Sequence, residues 1–178
     1  RIDETNFEKD ALLIALDVPN ISRIDGVDKS AFKEIFKIDH HPSDEVFGEC
    51  DWVDETSSST CQMIIELLLE TGMKLDRKIA ENLYLGVVSD SDRFLISYTS
   101  AKTFHLVSKL IDKSRIDFTN LYPYLYERPL QEIKFHGYLS ENLNVSENGF
   151  AYIIITPEIL KEYGVDPATP SNMINDFS

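Results

Sequence analysis

The sequence predicts an α/β fold, with a mainly parallel sheet, helices on both faces and a hairpin near the C-terminus. Three observations carry this expectation. The runs Ala11-Leu12-Leu13-Ile14-Ala15-Leu16 and Glu34-Ile35-Phe36-Lys37-Ile38 lack the polar alternation of a strand with one wet face, a pattern suited to strands covered on both sides. The segment between them is long enough for the crossover that parallel neighbours require. Further along, stretches with helical spacing follow recognisable cap residues.

Each element can be justified in turn. The first apolar run ends at Asp17, and the second leads into Asp39-His40-His41-Pro42, which contains two of the four histidines of the chain. Open α/β sheets bind ligands at the C-terminal ends of their strands. Neighbouring side chains on extended backbone point to opposite faces. His40 and His41 therefore divide their work unless the chain bends, and Pro42, which cannot donate a ladder hydrogen bond, favours a bend. One imidazole can then bind a metal while the other faces a substrate; the plain alternative is a pair of solvated loop histidines. Cys50-Asp51-Trp52-Val53 is a candidate edge strand. Ser57-Ser58-Ser59-Thr60 supplies N-cap candidates for a helix over Cys61–Glu70 that stops at Thr71-Gly72. The same helix N-terminus can also receive an anionic group of a substrate, through Ser59 and Thr60.

Asp76 caps the next helix, which delivers Asp90 at its C-terminal end. Thr99-Ser100 caps another, through Phe104, Leu106, Val107, Leu110 and Ile111, with His105 as a packing or surface residue. Tyr122, Tyr124 and Tyr126 alternate around Pro123; packing against the sheet is weighed against a base-stacking platform. A helix from Pro129 to Glu141 presents Ile133, Phe135 and Leu139 to a core and carries His136. Leu143–Ser146 and Phe150–Thr156, joined by Glu147-Asn148-Gly149, form a hairpin that extends the sheet antiparallel or bridges toward a further domain. Pro157, Pro167 and Pro170 break up the tail.

Composition narrows the class. A chain of 178 residues with 43% hydrophobic content can bury a core. Cys50 and Cys61 are too few for a disulfide framework and lack zinc spacing, which implies reduced packing residues and a cytoplasmic protein. No stretch is long and apolar enough to span a bilayer. A net charge of −14 excludes a broad surface for long duplex nucleic acid, which needs clustered Lys and Arg. Asp17, the Asp39–His41 cluster and Asp90 each close a hydrophobic element. A lone aspartate in such a place is commonly a cap or turn residue. Carboxylates with imidazole and no thiolate, however, form a donor set preferred by manganese or magnesium.

On these motifs the chain resembles the DHH phosphoesterase superfamily, and within it the bacterial nano-RNA exonuclease and pAp phosphatase group. The matching stretches are Leu16-Asp17-Val18-Pro19-Asn20-Ile21-Ser22-Arg23-Ile24, Ile38–Pro42, Thr56–Thr60 and Gly86-Val87-Val88-Ser89-Asp90-Ser91-Asp92-Arg93-Phe94. The resemblance implies that Asp17 bridges two metal ions (Mn²⁺ or Mg²⁺), His40 ligates one and Asp90 the other. It also implies that Asp39 orients an imidazole, and that His41 meets the phosphate and helps the leaving group depart. Arg93 and Arg23 are the cations placed for a second phosphate, with a surface ion pair the better reading of Arg23. The chain departs from the family pattern in three ways: no H-x-x-x-D-x-D strand precedes Asp17, no glycine-rich GGGH segment follows, and Asp92 stands where the family more often has glycine or asparagine. Residues 1–178 therefore read as a single incomplete DHH-type domain, with 157–178 starting a linker toward a C-terminal domain.

The implied activity is hydrolysis of short oligoribonucleotides, or of nucleotide phosphates such as 3′-phosphoadenosine 5′-phosphate, by two-metal activation of water. A manganese-dependent inorganic pyrophosphatase and a catalytically incomplete binding module remain open, as does a homodimer; no membrane is involved.

Overall fold

The computed structural model describes residues 10–24, 26 and 28–174; the last four residues of the expected linker, 175–178, lie outside them. Strands β1 (Leu12–Leu16), β2 (Glu34–Asp39) and β3 (Cys50–Val53) form a parallel sheet in the order β1-β2-β3. The α/β class and the parallel pairing are thus as the sequence predicts. Leu16 stands opposite Ile38, and Asp17 N continues the ladder by donating to Ile38 O at 3.0 Å. On one face Ala15 and Ile35 form a small core with Phe47, joined by Leu13, Val18, Ile21, Ile24 and Phe32. On the other face of β1, Leu12, Ile14 and Leu16 are about half exposed among the described residues. The apolar run thus marks a strand without marking burial on both sides.

Three helices follow. Helix α1 (Thr60–Thr71) begins at Ser59, whose Oγ accepts from Gln62 N at 3.0 Å, and ends at Gly72 in the left-handed region (φ 67°). Helix α2 (Arg77–Asp90) begins at Asp76, which accepts from Ile79 N at 2.9 Å. Helix α3 (Ala101–Ser114) is opened by Ser100, whose N donates to Thr103 Oγ1 at 3.1 Å. All three caps are those expected: the Ser59 and Asp76 oxygens accept from first-turn amides, and at Ser100 the Thr103 hydroxyl accepts from the cap amide. The helices share a core built on Ile65, Ala80, Tyr84, Val87, Val107 and Leu110. Helix α1 approaches α2 so closely that a Cβ on Gly86 would collide with the Cys61 side chain. Cys61 is thus a packing residue as expected, whereas Cys50, on edge strand β3, is exposed. Tyr122 packs, but against the helices and not the sheet, its hydroxyl 3.1 Å from that of Tyr84 in α2, while Tyr124 faces solvent. His105 is on the helix surface.

The described chain divides into two compact units, one up to Leu125 and one from Tyr126; the short helix α4 (Pro123–Tyr126) spans the division. The second unit contains α5 (Leu130–Asn142), β4 (Asn144–Val145), β5 (Ala151–Tyr152), α6 (Pro157–Tyr163) and α7 (Thr169–Met173). Its core is Phe135, Leu139 and Met173. The expected hairpin is present, but it forms a two-stranded sheet of its own and does not extend the parallel one. It is also shorter than expected, because Ile153 and Ile155 turn into the core of the unit. The prolines of the tail start helices more than they break them: Pro157 opens α6 and Pro170 lies in the first turn of α7, positions where a missing N–H costs nothing.

Gln62 was not singled out by sequence. It is buried, accepts from Ser58 Oγ (2.8 Å) and Thr103 Oγ1 (2.7 Å), and donates to Ser57 Oγ (3.2 Å). It thereby ties α1 to α3 and to the loop that ends at Ser59. Gln62→Leu leaves buried hydroxyls unpaired, and the expected loss is about 1–3 kcal/mol. Urea unfolding checks this through a lowered midpoint at constant slope; an unchanged midpoint would contradict it.

Candidate active site

The parallel register brings the ends of β1 and β2 level with each other, and α2 ends nearby. His40 Nε2 lies 3.6 Å from Asp17 Oδ1 and 3.1 Å from Asp90 Oδ2. The Nε2 atom is buried and, among the described residues, has these two carboxylates as its ion-pair neighbours. The opposite ring nitrogen, Nδ1, is 3.3 Å from Ser57 O, and a backbone carbonyl there fixes Nδ1 as the donor. Asp90 beside it, the largest cause, holds His40 above its ordinary value of 6.5, with the Ser57 carbonyl and Asp17 adding to the effect and partial burial opposing it.

His41 is held differently. Its Nδ1 lies 2.8 Å from Asp39 Oδ1, its backbone N donates to the same oxygen at 3.3 Å, and Asp39 is fully buried. The two imidazoles are 4.5 Å apart between centroids and tilted by 57°. The chain does bend after β2, and both rings are on the same side as Asp17: one donor atom each from Asp17, His40 and His41 lies within 4.8 Å of the others.

Asp17 itself adopts φ 63°, a left-handed conformation that aspartate tolerates better than most residues. Thr60 Oγ1 donates to Asp17 Oδ1 at 2.8 Å, a restraint missed in the sequence because residues 43 apart are joined only by the fold. Ser59 is occupied as the α1 cap. Ser59 and Thr60 nevertheless line, with Asp17, Asp90, Cys61 and Gly86, a cavity of about 360 Å³ beside the cluster. Cys61 is pushed up to about 11 by burial first, with the Asp17 and Asp90 charges adding to it. It is a neutral thiol at physiological pH, so the donors at this site are oxygen and imidazole.

Residues Asp92, Arg93 and Phe94 have φ of 42°, 63° and 68°. This left-handed turn explains why glycine suits position 92. Arg93 Nη2 pairs with Asp92 Oδ1 at 2.6 Å, which directs the extra carboxylate onto its neighbour. Arg23 is the exposed last residue of a 3₁₀ turn, Ile21–Arg23.

These residues fit a divalent cation. A buried imidazole nitrogen facing two carboxylates, with its other nitrogen anchored to a carbonyl, has the arrangement of a metal-ligating histidine. Asp17, His40 and His41 each offer a donor atom close enough to hold the cation, and Asp90 lies against His40.

Residues 2–87 match the model described as DHH family, N-terminal domain. The chain is 36% identical over 176 residues to the bifunctional oligoribonuclease and PAP phosphatase NrnA of Bacillus subtilis, covering 97% of this chain and 56% of that protein. It is 33% identical over 95 residues to a probable manganese-dependent inorganic pyrophosphatase of Thermotoga maritima, covering 52% of this chain and 17% of that protein. An exopolyphosphatase-related protein of Bacteroides fragilis has the same fold, with TM-score 0.83 and 22% identity over 92% of this chain and 50% of that one. The chain spans about half the length of the curated relatives it matches first.

A pH dependence follows for the metal-free chain. Because the folded-state pKa of His40 is raised above 6.5, its stabilising contribution is complete below that value and is lost as pH rises through the raised one. In chelator, the urea midpoint should fall with pH above about 6.5 relative to His40→Ala. A pH-independent difference between the two proteins would refute the assignment. Mn²⁺ affinity should rise over the same range, since ligation needs neutral imidazole.

Proposed function

The chain belongs to the DHH family, and from that membership we propose that the protein carrying it is a metal-dependent phosphoesterase of short oligoribonucleotides and of nucleotide phosphates such as 3′-phosphoadenosine 5′-phosphate. The observation that supports this reading most is the buried His40 Nε2 that faces the Asp17 and Asp90 carboxylates at the ends of separate elements. The substrate class comes from the relatives, four of which are named bifunctional oligoribonuclease and PAP phosphatase.

In this proposal Asp17, His40 and Asp90 would hold the Mn²⁺ or Mg²⁺ that the reaction uses. When bound, such ions supply positive charge that draws in the phosphoryl oxygens and makes water more acidic. The residues of the chain do the rest. Thr60 holds Asp17 in one orientation, so the carboxylate faces the site without reorganisation. Ser57 O keeps His40 in the tautomer whose Nε2 is free to ligate. Asp39 takes the Nδ1 side of His41, so that the ring, when it carries a proton on both nitrogens, presents Nε2–H to the departing oxygen. Ser59 and Thr60 at the α1 N-terminus, with Arg93, receive the remaining phosphate charge. Arg23 is kept as a weaker candidate for the same task. The acidic chain, net −14, disfavours long nucleic acid and tolerates a short substrate whose charge the metal site neutralises.

A second reading, hydrolysis of inorganic pyrophosphate, is favoured by the likeness to the Thermotoga maritima protein and needs the same ligand set. Preference for pyrophosphate over five-nucleotide RNA and 3′-phosphoadenosine 5′-phosphate would decide for it.

Asp17→Ala and Asp90→Ala should nearly abolish hydrolysis, and dialysis against chelator should do the same until Mn²⁺ is restored. His40→Ala should lower metal occupancy and activity together. His41→Ala should keep most of the metal yet lose about 10²- to 10⁴-fold in turnover. Full activity in excess chelator would rule out the metal, and equal metal loss in the two histidine variants would remove the division of labour between them.

A further inference from the structure

Lys37 and Asp39 are the two charged residues buried among the described residues, and they lie on the same face of β2, two positions apart. Position 37 is level with Ala15 and follows Ile35 on the apolar side of the sheet, a place where a β-branched residue would serve the core better. A lysine there gives up side-chain freedom and hydration. Its surroundings return part of both. Nζ donates to Pro19 O at 2.9 Å and to Glu45 O at 3.2 Å, lies 5.1 Å from the Phe47 ring centroid, and is 3.8 Å from Asp39 Oδ2.

The two carbonyls are informative. Pro19 follows Asp17 by two residues, and Glu45 is in the loop that leaves His41. Glu45 Oε2 also accepts from Ile21 N at 3.1 Å. Lys37 therefore pins, from behind the sheet, both loops that leave the site and the carboxylate that holds His41. Asp39 divides its oxygens accordingly: Oδ1 takes both contacts with His41, while Oδ2, among the described residues, accepts no hydrogen bond and faces the lysine charge. A buried carboxylate with one bare oxygen needs a cation close by. Without that cation the buried charge is unbalanced, and the carboxylate is free to turn away from the ring.

We propose that Lys37 is a positioning residue that acts through Asp39: its charge keeps the carboxylate against Nδ1–H of His41, so that Nε2 is the nitrogen presented to substrate. The effect on turnover rests on the phosphoesterase reading above; the effect on the imidazole does not.

The test uses the 178-residue chain, labelled with ¹⁵N and free of metal, at about pH 9, where an ordinary histidine is neutral. Long-range ¹H–¹⁵N correlation should show His41 protonated at Nδ1 in the wild type. In Lys37→Met, which keeps the length and removes the charge, it should show a mixture in which Nε2–H is populated. Lys37→Gln, which retains amide donors for the carbonyls but no charge, should behave in the same way. In the protein carrying this chain, turnover should fall about 10- to 100-fold with KM unchanged, and Lys37→Met should add little to Asp39→Asn. A folded Lys37→Met with the wild-type tautomer overturns the proposal and leaves the phosphoesterase reading intact. A shifted tautomer in a protein that hydrolyses no phosphoester does the reverse. Loss of the fold in both Lys37 variants assigns the lysine to the core alone and also overturns the proposal.

Discussion

The cluster depends on the parallel pairing of β1 with β2. Because both strands run the same way and Leu16 stands opposite Ile38, the chain leaves the sheet at the same level in both places. Asp17 and the Asp39–His41 triplet therefore emerge side by side. An antiparallel pair would put them at opposite ends of the sheet, several strand residues apart at about 3.4 Å each. The ladder bond from Asp17 N to Ile38 O extends this control one residue beyond the strand. The left-handed φ of Asp17 then turns the chain aside. Helix α2 brings Asp90 within reach because its core face, Ala80, Leu83, Val87 and Val88, is packed against α1 and α3. A local device such as a cap or a turn can position one ligand; the register positions two at once.

Electrostatics explains why the ends of these elements are held so firmly. Asp17 and Asp90 carry like charge toward the same imidazole, within a chain that is already strongly acidic. Without a metal, a protonated His40 is the nearest compensation, which is the origin of its raised pKa. Such a site resists collapse, since drawing the carboxylates together raises their repulsion. It also resists spreading apart, because Thr60 restrains Asp17 and Ser57 restrains His40. The result is a pocket of negative potential held open by hydrogen bonds from residues that have no charge of their own.

The parts of this arrangement that were legible in the sequence are those with a local signal. The apolar runs mark β1 and β2, the Ser59, Asp76 and Ser100 caps mark helix starts, and acids or imidazoles at element ends mark the cluster. What could not be read depends on contacts between distant segments. Thr60 was visible as part of a hydroxyl cluster, but its bond to Asp17 requires knowing that α1 starts beside the end of β1. Gln62 looks like an ordinary polar residue in α1 until α3 places Thr103 against it. Lys37 did have a signal, a lysine inside an otherwise apolar strand, which periodicity counts only as a blemish. The hairpin was legible as a hairpin; whether it would join the parallel sheet was not, because edge pairing is decided by the packing of the unit around it.

Backbone strain is concentrated where the chemistry would occur. Asp17, Asp92, Arg93 and Phe94 are four of the five described non-glycine residues with positive φ, a conformation that costs roughly 1–2 kcal/mol per residue. All of them directly follow an element that ends at the cluster. The turn after α2 offsets this cost with hydrogen bonds: Arg93 N to Val88 O at 2.8 Å, Phe94 N to Ser91 Oγ at 3.0 Å and Leu95 N to Ser91 O at 2.9 Å. Ser91, fully buried, is the hub of that turn. A relaxed right-handed continuation would extend α2 past Asp90 and carry Arg93 around the helix. The left-handed turn ends the helix there and keeps Asp90 as its last residue. Strain of this kind persists only where the surrounding bonds over-determine the conformation, as the bonds to Val88 and Ser91 do here.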